Sequence, residues 1–131
     1  MHNILLIEDS GVFREVEVTL LKLIDNISLE IAINHKNALS LIDKKKFDLI
    51  ICDYHLPDGN GLDILNYSRD DKNGNALNLK TDFVMVTGNN DMEIVKECIT
   101  KGVSGYLVKP LQPAKFLQKC CKLLKIPVPK F

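Results

Sequence analysis

Short apolar runs alternate along this chain with stretches whose apolar residues recur every three or four positions. Residues 4–7 (Ile-Leu-Leu-Ile) form the first run, and Phe13, Val16, Leu20, Leu23 and Ile24 follow at the spacing of one helix face. Leu29, Ile31 and Ile33 alternate with polar residues, as in a half-buried edge strand, and Ala38, Leu41 and Ile42 suit a short second helix. Residues 49–52 (Leu-Ile-Ile-Cys) are apolar at every position, which predicts a central strand covered on both faces. After a loop over residues 56–61, Leu62, Ile64 and Leu65 begin a third helix. Residues 83–86 give a fourth strand. Ile94, Val95, Cys98 and Ile99 give a fourth helix, with a cap near Asn90 or Asp91 and a stop at Gly102. Residues 105–108 give a fifth strand. Pro113 is placed as a first helical residue, and Phe116, Leu117, Cys120, Leu123 and Leu124 line a fifth helix before Pro127 and Pro129 end the order. Residues 69–80 are polar and turn-prone and read as a surface loop.

Five strand–helix units imply an α/β fold: a doubly wound parallel sheet with helices on both faces and right-handed crossovers. In such a sheet every strand's C-terminal end opens on one edge, where ligands bind. Five polar residues occupy those ends: Glu8 and Asp9 after the first run, Asp53 after the third, Thr87 after the fourth and Lys109 after the fifth. A carboxylate just past a buried strand is costly without a charged partner, and three in one cleft raise one another's pKa. A hard divalent cation relieves that repulsion. Mg²⁺ takes oxygen ligands, usually one or two carboxylates with waters and a phosphate oxygen. Asp9 and Asp53 suit direct ligation, Glu8 suits ligation through water, and the backbone carbonyl of His55 suits completion of the set. Asp53, its charge balanced, can attack phosphorus and form an acyl phosphate, with Lys109 neutralising one phosphoryl oxygen and Thr87 hydrogen-bonding another.

Composition narrows the choices. The chain's 131 residues and 46% hydrophobic content suit one domain with a real core, and a formal net charge of zero fits neither disorder nor a globally basic nucleic-acid binder. No apolar run approaches the roughly 20 residues of a membrane span, and the N-terminus lacks a basic flank or cleavage site. Cys52, Cys98, Cys120 and Cys121 form no CxxC pair and read as core thiols of a reducing, cytoplasmic compartment.

The motifs Leu6-Ile7-Glu8-Asp9-Ser10, Asp53 with Leu56-Pro57-Asp58-Gly59, Val86-Thr87-Gly88, Gly102, Gly105-Tyr106 and Val108-Lys109-Pro110 together resemble the response-regulator receiver domain of two-component signalling. The match is to a chemotaxis-regulator-like receiver, either stand-alone or cut from a longer protein. It implies a flavodoxin-like (β/α)5 sheet in the order 2-1-3-4-5, with a receiver over residues 1–124 and a tail over 125–131. It also implies that a histidine kinase or histidine phosphotransfer protein passes a phosphoryl group to Asp53, with Mg²⁺ bound at Glu8, Asp9 and Asp53. Thr87 and Tyr106 become the switch pair, and Lys109 the phosphate-reading lysine. Thr87 moves toward the phosphoryl group, Tyr106 turns inward, and the surface of the fourth helix, fifth strand and fifth helix changes. The Lys109–Pro110 bond is a cis candidate. His55 sits where dephosphorylation rate is tuned, or is simply an exposed loop histidine. Residues 69–80 are longer than usual for the family. Such a domain is a signalling module, catalysing only its own phosphorylation and dephosphorylation, rather than an enzyme acting on a separate substrate.

The charge is unevenly spread. Residues 1–97 carry 10 basic and 17 acidic side chains, net −7, and the remaining residues carry seven lysines and no acid. Lys115, Lys119 and Lys122 recur at helical spacing. They make either a solvated face or a basic surface that docks an acidic effector or a second copy as a homodimer. Rival functions are weaker. An aspartate phosphatase would show Asp-x-Asp where Asp53-Tyr54-His55 stands; no GxxxxGK or GxGxxG loop is present; the histidines lack zinc-ligand spacing; and Glu8-Asp9 would repel the phosphate of a flavin. A receiver-like interaction module that is never phosphorylated is the remaining alternative.

Overall fold

A computed structural model describes residues 1–70, 76–88 and 92–130. The element order is β1 (His2–Ile7), α1 (Gly11–Leu21), β2 (Ile27–Ala32), α2 (His35–Lys44), β3 (Leu49–Asp53), β4 (His55–Leu56), β5 (Gly59–Asn60), α3 (Gly61–Ser68), β6 (Asp82–Thr87), α4 (Met92–Thr100), β7 (Gly105–Val108) and α5 (Pro113–Leu124). Five strands pair in parallel in the order β2-β1-β3-β6-β7, which is the 2-1-3-4-5 winding of the flavodoxin-like class.

Alternation along the central strands builds two cores. Ile4, Leu6, Leu49, Ile51, Val84 and Val86 pack with Leu20 and Leu21 of α1 and Phe116, Leu117, Cys120 and Cys121 of α5. The intervening residues, Leu5, Ile7, Ile50, Cys52, Phe83 and Met85, pack with Ala38 and Ile42 of α2, Ile64 and Leu65 of α3 and Cys98 of α4. The side-chain period of a strand is two, so each residue's parity decides which helices it meets. All four cysteines are buried and free.

Several elements differ in detail from the sequence expectations. The loop after Asp53 contains a two-residue antiparallel pairing, β4 with β5. The buried face of α1 runs through Glu17, Leu20 and Leu21, while Val16 and Leu23 are exposed, so the apolar pattern put the face slightly out of phase. In α4 only Cys98 is buried and Ile99 is exposed. The expected cap of α4 at Asn90 or Asp91 lies outside the described residues, as do residues 71–75 of the polar loop. The end of that loop is no plain surface loop. Asn78 is buried; its Oδ1 accepts from the Phe47 N–H at 2.8 Å, and its Nδ2 donates to the Ile42 and Lys45 carbonyls at 2.9 and 2.8 Å. One amide side chain thus satisfies three backbone groups between α2 and β3, as buried polar groups require. Past α5 the chain stays ordered long enough for Ile126 to pack on the first core.

Candidate functional site

The strand alternation that builds the cores also aims the acids. Glu8 shares the parity of Ile4 and Leu6, and Asp53 that of Leu49 and Ile51, so both belong to the face covered by α1 and α5. Each element end is pinned by backbone. The Glu8 N–H donates to the Ala32 carbonyl at 3.0 Å, the Tyr54 N–H to that of Val86 at 2.7 Å, and the Lys109 N–H to that of Thr87 at 2.7 Å. Behind Asp53, Gly61 leaves no room for a side chain: a Cβ there would stand 3.0 Å from the Asp53 carbonyl oxygen and 3.2 Å from Cys52 Sγ. The Gly61 N–H donates to the Tyr54 carbonyl at 2.8 Å, closing the loop that carries His55 and Asp58. The Asp58 carboxylate in turn accepts from the His35 and Lys36 N–H groups at the start of α2, at 2.7 and 3.1 Å.

Carboxylate oxygens of Glu8, Asp9 and Asp53 lie within 4.8 Å of one another. Glu8 and Asp53 are buried, and Asp9 is exposed at the mouth. Lys109 Nζ stands 2.8 Å from Glu8 Oε1 and 3.4 Å from Asp53 Oδ2, its side chain only 10% exposed. Thr87 is fully buried at the end of β6, and Tyr106 is half-buried against the second core. His55 is exposed, edge-on to the Tyr54 ring at 5.0 Å. The Lys109–Pro110 peptide is cis.

The cap of α1 and two of its residues, Arg14 and Glu17, to which the sequence reading gave no role, complete the surroundings. Ser10 caps the helix, its Oγ accepting from the Phe13 N–H at 3.4 Å. Arg14 Nη1 donates to the carbonyls of Glu8 and Asp9 at 3.0 and 3.3 Å, tying the first turn of α1 to both acids. Glu17 sits on the buried face of α1 with 1% exposure, beside Glu8. Two buried carboxyls that close repel unless one keeps a proton. Glu17 keeps it: burial, then Glu8, push its pKa up to about 9. At Glu8 burial works upward as well, but Lys109 and the proton-bearing Glu17 outweigh it and hold the carboxyl below its usual range. Burial and Glu8 push Asp53 up to about 6, against the pull of Lys109. The donors are all oxygens, the cluster carries more acid than Lys109 balances, and the opening is at Asp9. That donor set fits a hard divalent cation.

The shifts fix the sign of a stability change. Glu17 and Asp53 bind protons more tightly folded than unfolded, so stability falls as pH rises through the windows between their ordinary and raised values. Between pH 6 and 8.5 Glu8 and Lys109 stay charged in both states, because their ordinary values of 4.5 and 10.5 lie outside it. Glu17 then dominates. The metal-free protein is expected to lose stability on the order of 1 kcal/mol per pH unit over that window. Denaturant titrations at the two ends check this, and a flat or rising profile contradicts it.

The comparisons with known proteins agree with this geometry. The family model described as "Response regulator receiver domain" matches residues 4–120. The chemotaxis protein CheY-3 of Vibrio cholerae is 28% identical over 123 residues, covering 94% of this chain and 92% of that protein. The transcriptional regulatory protein MalR of Bacillus subtilis is 29% identical over 117 residues, covering 88% of this chain but 47% of the relative. The chain thus spans about half the length of such regulators and nearly all of a chemotaxis protein. The structure of the chemotaxis response regulator CheY4 of Vibrio cholerae superposes with a TM-score of 0.82 at 26% identity, covering 94% of this chain and 98% of that one. Among the described residues no helix is long and apolar enough to cross a membrane.

Proposed function

We propose, for a chain that belongs to the response regulator receiver domain family, that Asp53 accepts a phosphoryl group from a histidine kinase or histidine phosphotransfer protein and that the change reaches the surface of α4, β7 and α5. Residues 1–124 would form the receiver, with 125–131 as its tail. The observation that carries the reading is the grouping of Glu8, Asp9, Asp53 and Lys109 on one rim, with Thr87 ending β6 and Tyr106 inside the neighbouring β7.

An Asp53 carboxylate oxygen attacks the phosphorus of the donor's phosphohistidine. The new O–P bond forms as the P–N bond breaks, and the imidazole leaves with the electron pair. Receiver domains bind Mg²⁺ in an acidic pocket, and here Glu8, Asp9, Asp53 and the His55 carbonyl would hold it. Mg²⁺ bound there neutralises the acids and the incoming phosphoryl charge. Lys109, already poised between Glu8 and Asp53, exchanges a carboxylate for a phosphoryl oxygen, and the Thr87 hydroxyl bonds another. The phosphoryl group adds about −1.5 to −2 charges. Drawing Thr87 toward it would free space beneath Tyr106, which packs on the second core, and so shift a two-state element. His55 faces solvent, where it can affect the rate at which water reaches the acyl phosphate. The thiols are all buried and reduced, which suits a cytoplasmic protein.

Incubation with acetyl phosphate and Mg²⁺ tests the reading by intact mass. Uptake of one phosphoryl group, abolished by EDTA, supports it. No uptake from either acetyl phosphate or a donor kinase favours the interaction module instead.

The output partner we infer is acidic, or a second copy of the chain. Lys115 and Lys122 of α5 are exposed, and Lys119 is half-buried with its stem against Gly105 of β7. Charge reversal at Lys115 and Lys119 is expected to weaken partner binding about tenfold or more at low salt, and less at high salt. Unchanged affinity in a pull-down or titration ends this reading.

A further inference from the structure

Lys109 is enclosed on more sides than the carboxylates alone provide. Its Nζ lies 4.1 Å from the centroid of the Phe13 ring. The ring is 37% exposed, the ammonium's side chain 10%, so the aromatic ring lies on the solvent side of the cation. A cation over a ring face is held by the ring quadrupole, more firmly as water is removed. The backbone that carries the ring is anchored. The Phe13 N–H is bonded to the Ser10 cap, and Arg14 ties the same turn to the Glu8 and Asp9 carbonyls. Glu17 lies four residues on, on the same side of α1, and reaches Glu8 from the interior. One face of one helix therefore meets the Lys109–Glu8 pair from the outside and from below.

We propose that Phe13 is a positioning residue for Lys109: its ring roofs the ammonium and confines it to the Glu8–Asp53 rim, where an incoming phosphoryl oxygen must find it. This deepens the phosphoacceptor reading and rests on it. Without the roof, the four-carbon stem of a lysine lets the ammonium swing into water. The role is specific to an aromatic ring. An aliphatic side chain of similar bulk would preserve packing and lose the quadrupole.

Four variants and two readouts test this. In wild-type protein the Lys109 ε-methylene protons should be shifted upfield by the ring current in NMR spectra. They should stay shifted in Phe13→Trp and return to ordinary positions in Phe13→Leu. Phosphoryl uptake from acetyl phosphate at saturating Mg²⁺ should be about three- to thirty-fold slower in Phe13→Leu, the range that cation–ring attraction spans, and largely restored in Phe13→Trp. In a Lys109→Met background, Phe13→Leu should cause no further slowing. The proposal is overturned if Phe13→Leu matches the wild type, if the ε-methylene is unshifted in the wild type, or if Phe13→Leu slows the Lys109→Met protein by the same factor, since that last result marks a purely structural role. A shifted ε-methylene in a wild-type protein that takes up no phosphoryl group would overturn the phosphoacceptor reading and the role built on it, while confirming where the ring sits.

Discussion

Asp53→Asn is expected to abolish phosphoryl uptake while making the metal-free protein more stable. The two effects have one origin. Asp53 lies 7% exposed beside Glu8, and its pKa is pushed up to about 6 by burial and by that neighbour. Above that pH the folded state holds a charge it would rather neutralise. An amide removes the charge and keeps nearly the same shape, so folding stability should rise by about 1–3 kcal/mol at pH 8, the upper end being the full shift converted to free energy. The amide's nitrogen lone pair is delocalised and its oxygen is uncharged, so it is a poor nucleophile toward phosphorus, and uptake from acetyl phosphate should fall by at least about 10³-fold, as loss of a nucleophile does elsewhere. Denaturant unfolding and intact mass on the same sample read both quantities. A destabilised variant would show that Asp53 is a structural acid; a phosphorylated one would place the acceptor elsewhere.

Lys109→Met should do the reverse to stability. Methionine keeps the apolar stem and deletes the ammonium, which sits 2.8 Å from Glu8 and 3.4 Å from Asp53. Breaking a buried ion pair from one side typically costs about 3–5 kcal/mol, because the remaining charge has lost its partner. Here the site can relax in two ways, by binding a proton or a metal ion. The loss should therefore be largest at pH 8 without metal, at about 3 kcal/mol or a Tm drop on the order of 10 °C. It should shrink at pH 5.5, where a proton replaces the ammonium on one carboxyl. Added Mg²⁺ should raise the stability of Lys109→Met more than that of the wild type, since the cation then fills a larger deficit. Thermal melts across pH and Mg²⁺ check this. Equal melting temperatures for variant and wild type at pH 8 would mean that Lys109 is not the charge that holds the acids together.

The five parallel strands and the buried thiols were legible because the apolar signal is repetitive, whereas the strand order followed only from the resemblance to the receiver family. Residues 49–52 are apolar at every position and are buried at every position. The strand-end acids could be read because each follows such a run directly. Glu17 could not. It is a charged letter at a core position, and its neutrality depends on burial under the helix and on the neighbouring Glu8, both of which arise only through the fold. Reading the α1 face through residues 17, 20, 21 and 24 would have required accepting an acid as core. Asn78 was hidden for a similar reason: a polar residue in a polar stretch gives no hint that it will satisfy backbone groups of residues 42, 45 and 47. The contact of Phe13 with Lys109 spans most of the chain and leaves no periodic trace. The exposed face of α4 shows the converse limit, for Ile99 fits a helical pattern without being buried.

The central claim is that one particular carboxylate carries the phosphoryl group. Borohydride reduction of protein treated with acetyl phosphate and Mg²⁺ converts an acyl phosphate into a stable alcohol, and peptide mass mapping then locates it. The reduced residue is expected at Asp53 alone, with none when EDTA is present. Reduction at Glu8, Asp9 or any other carboxyl, or an unmodified Asp53 in protein that has taken up phosphate, would contradict the assignment.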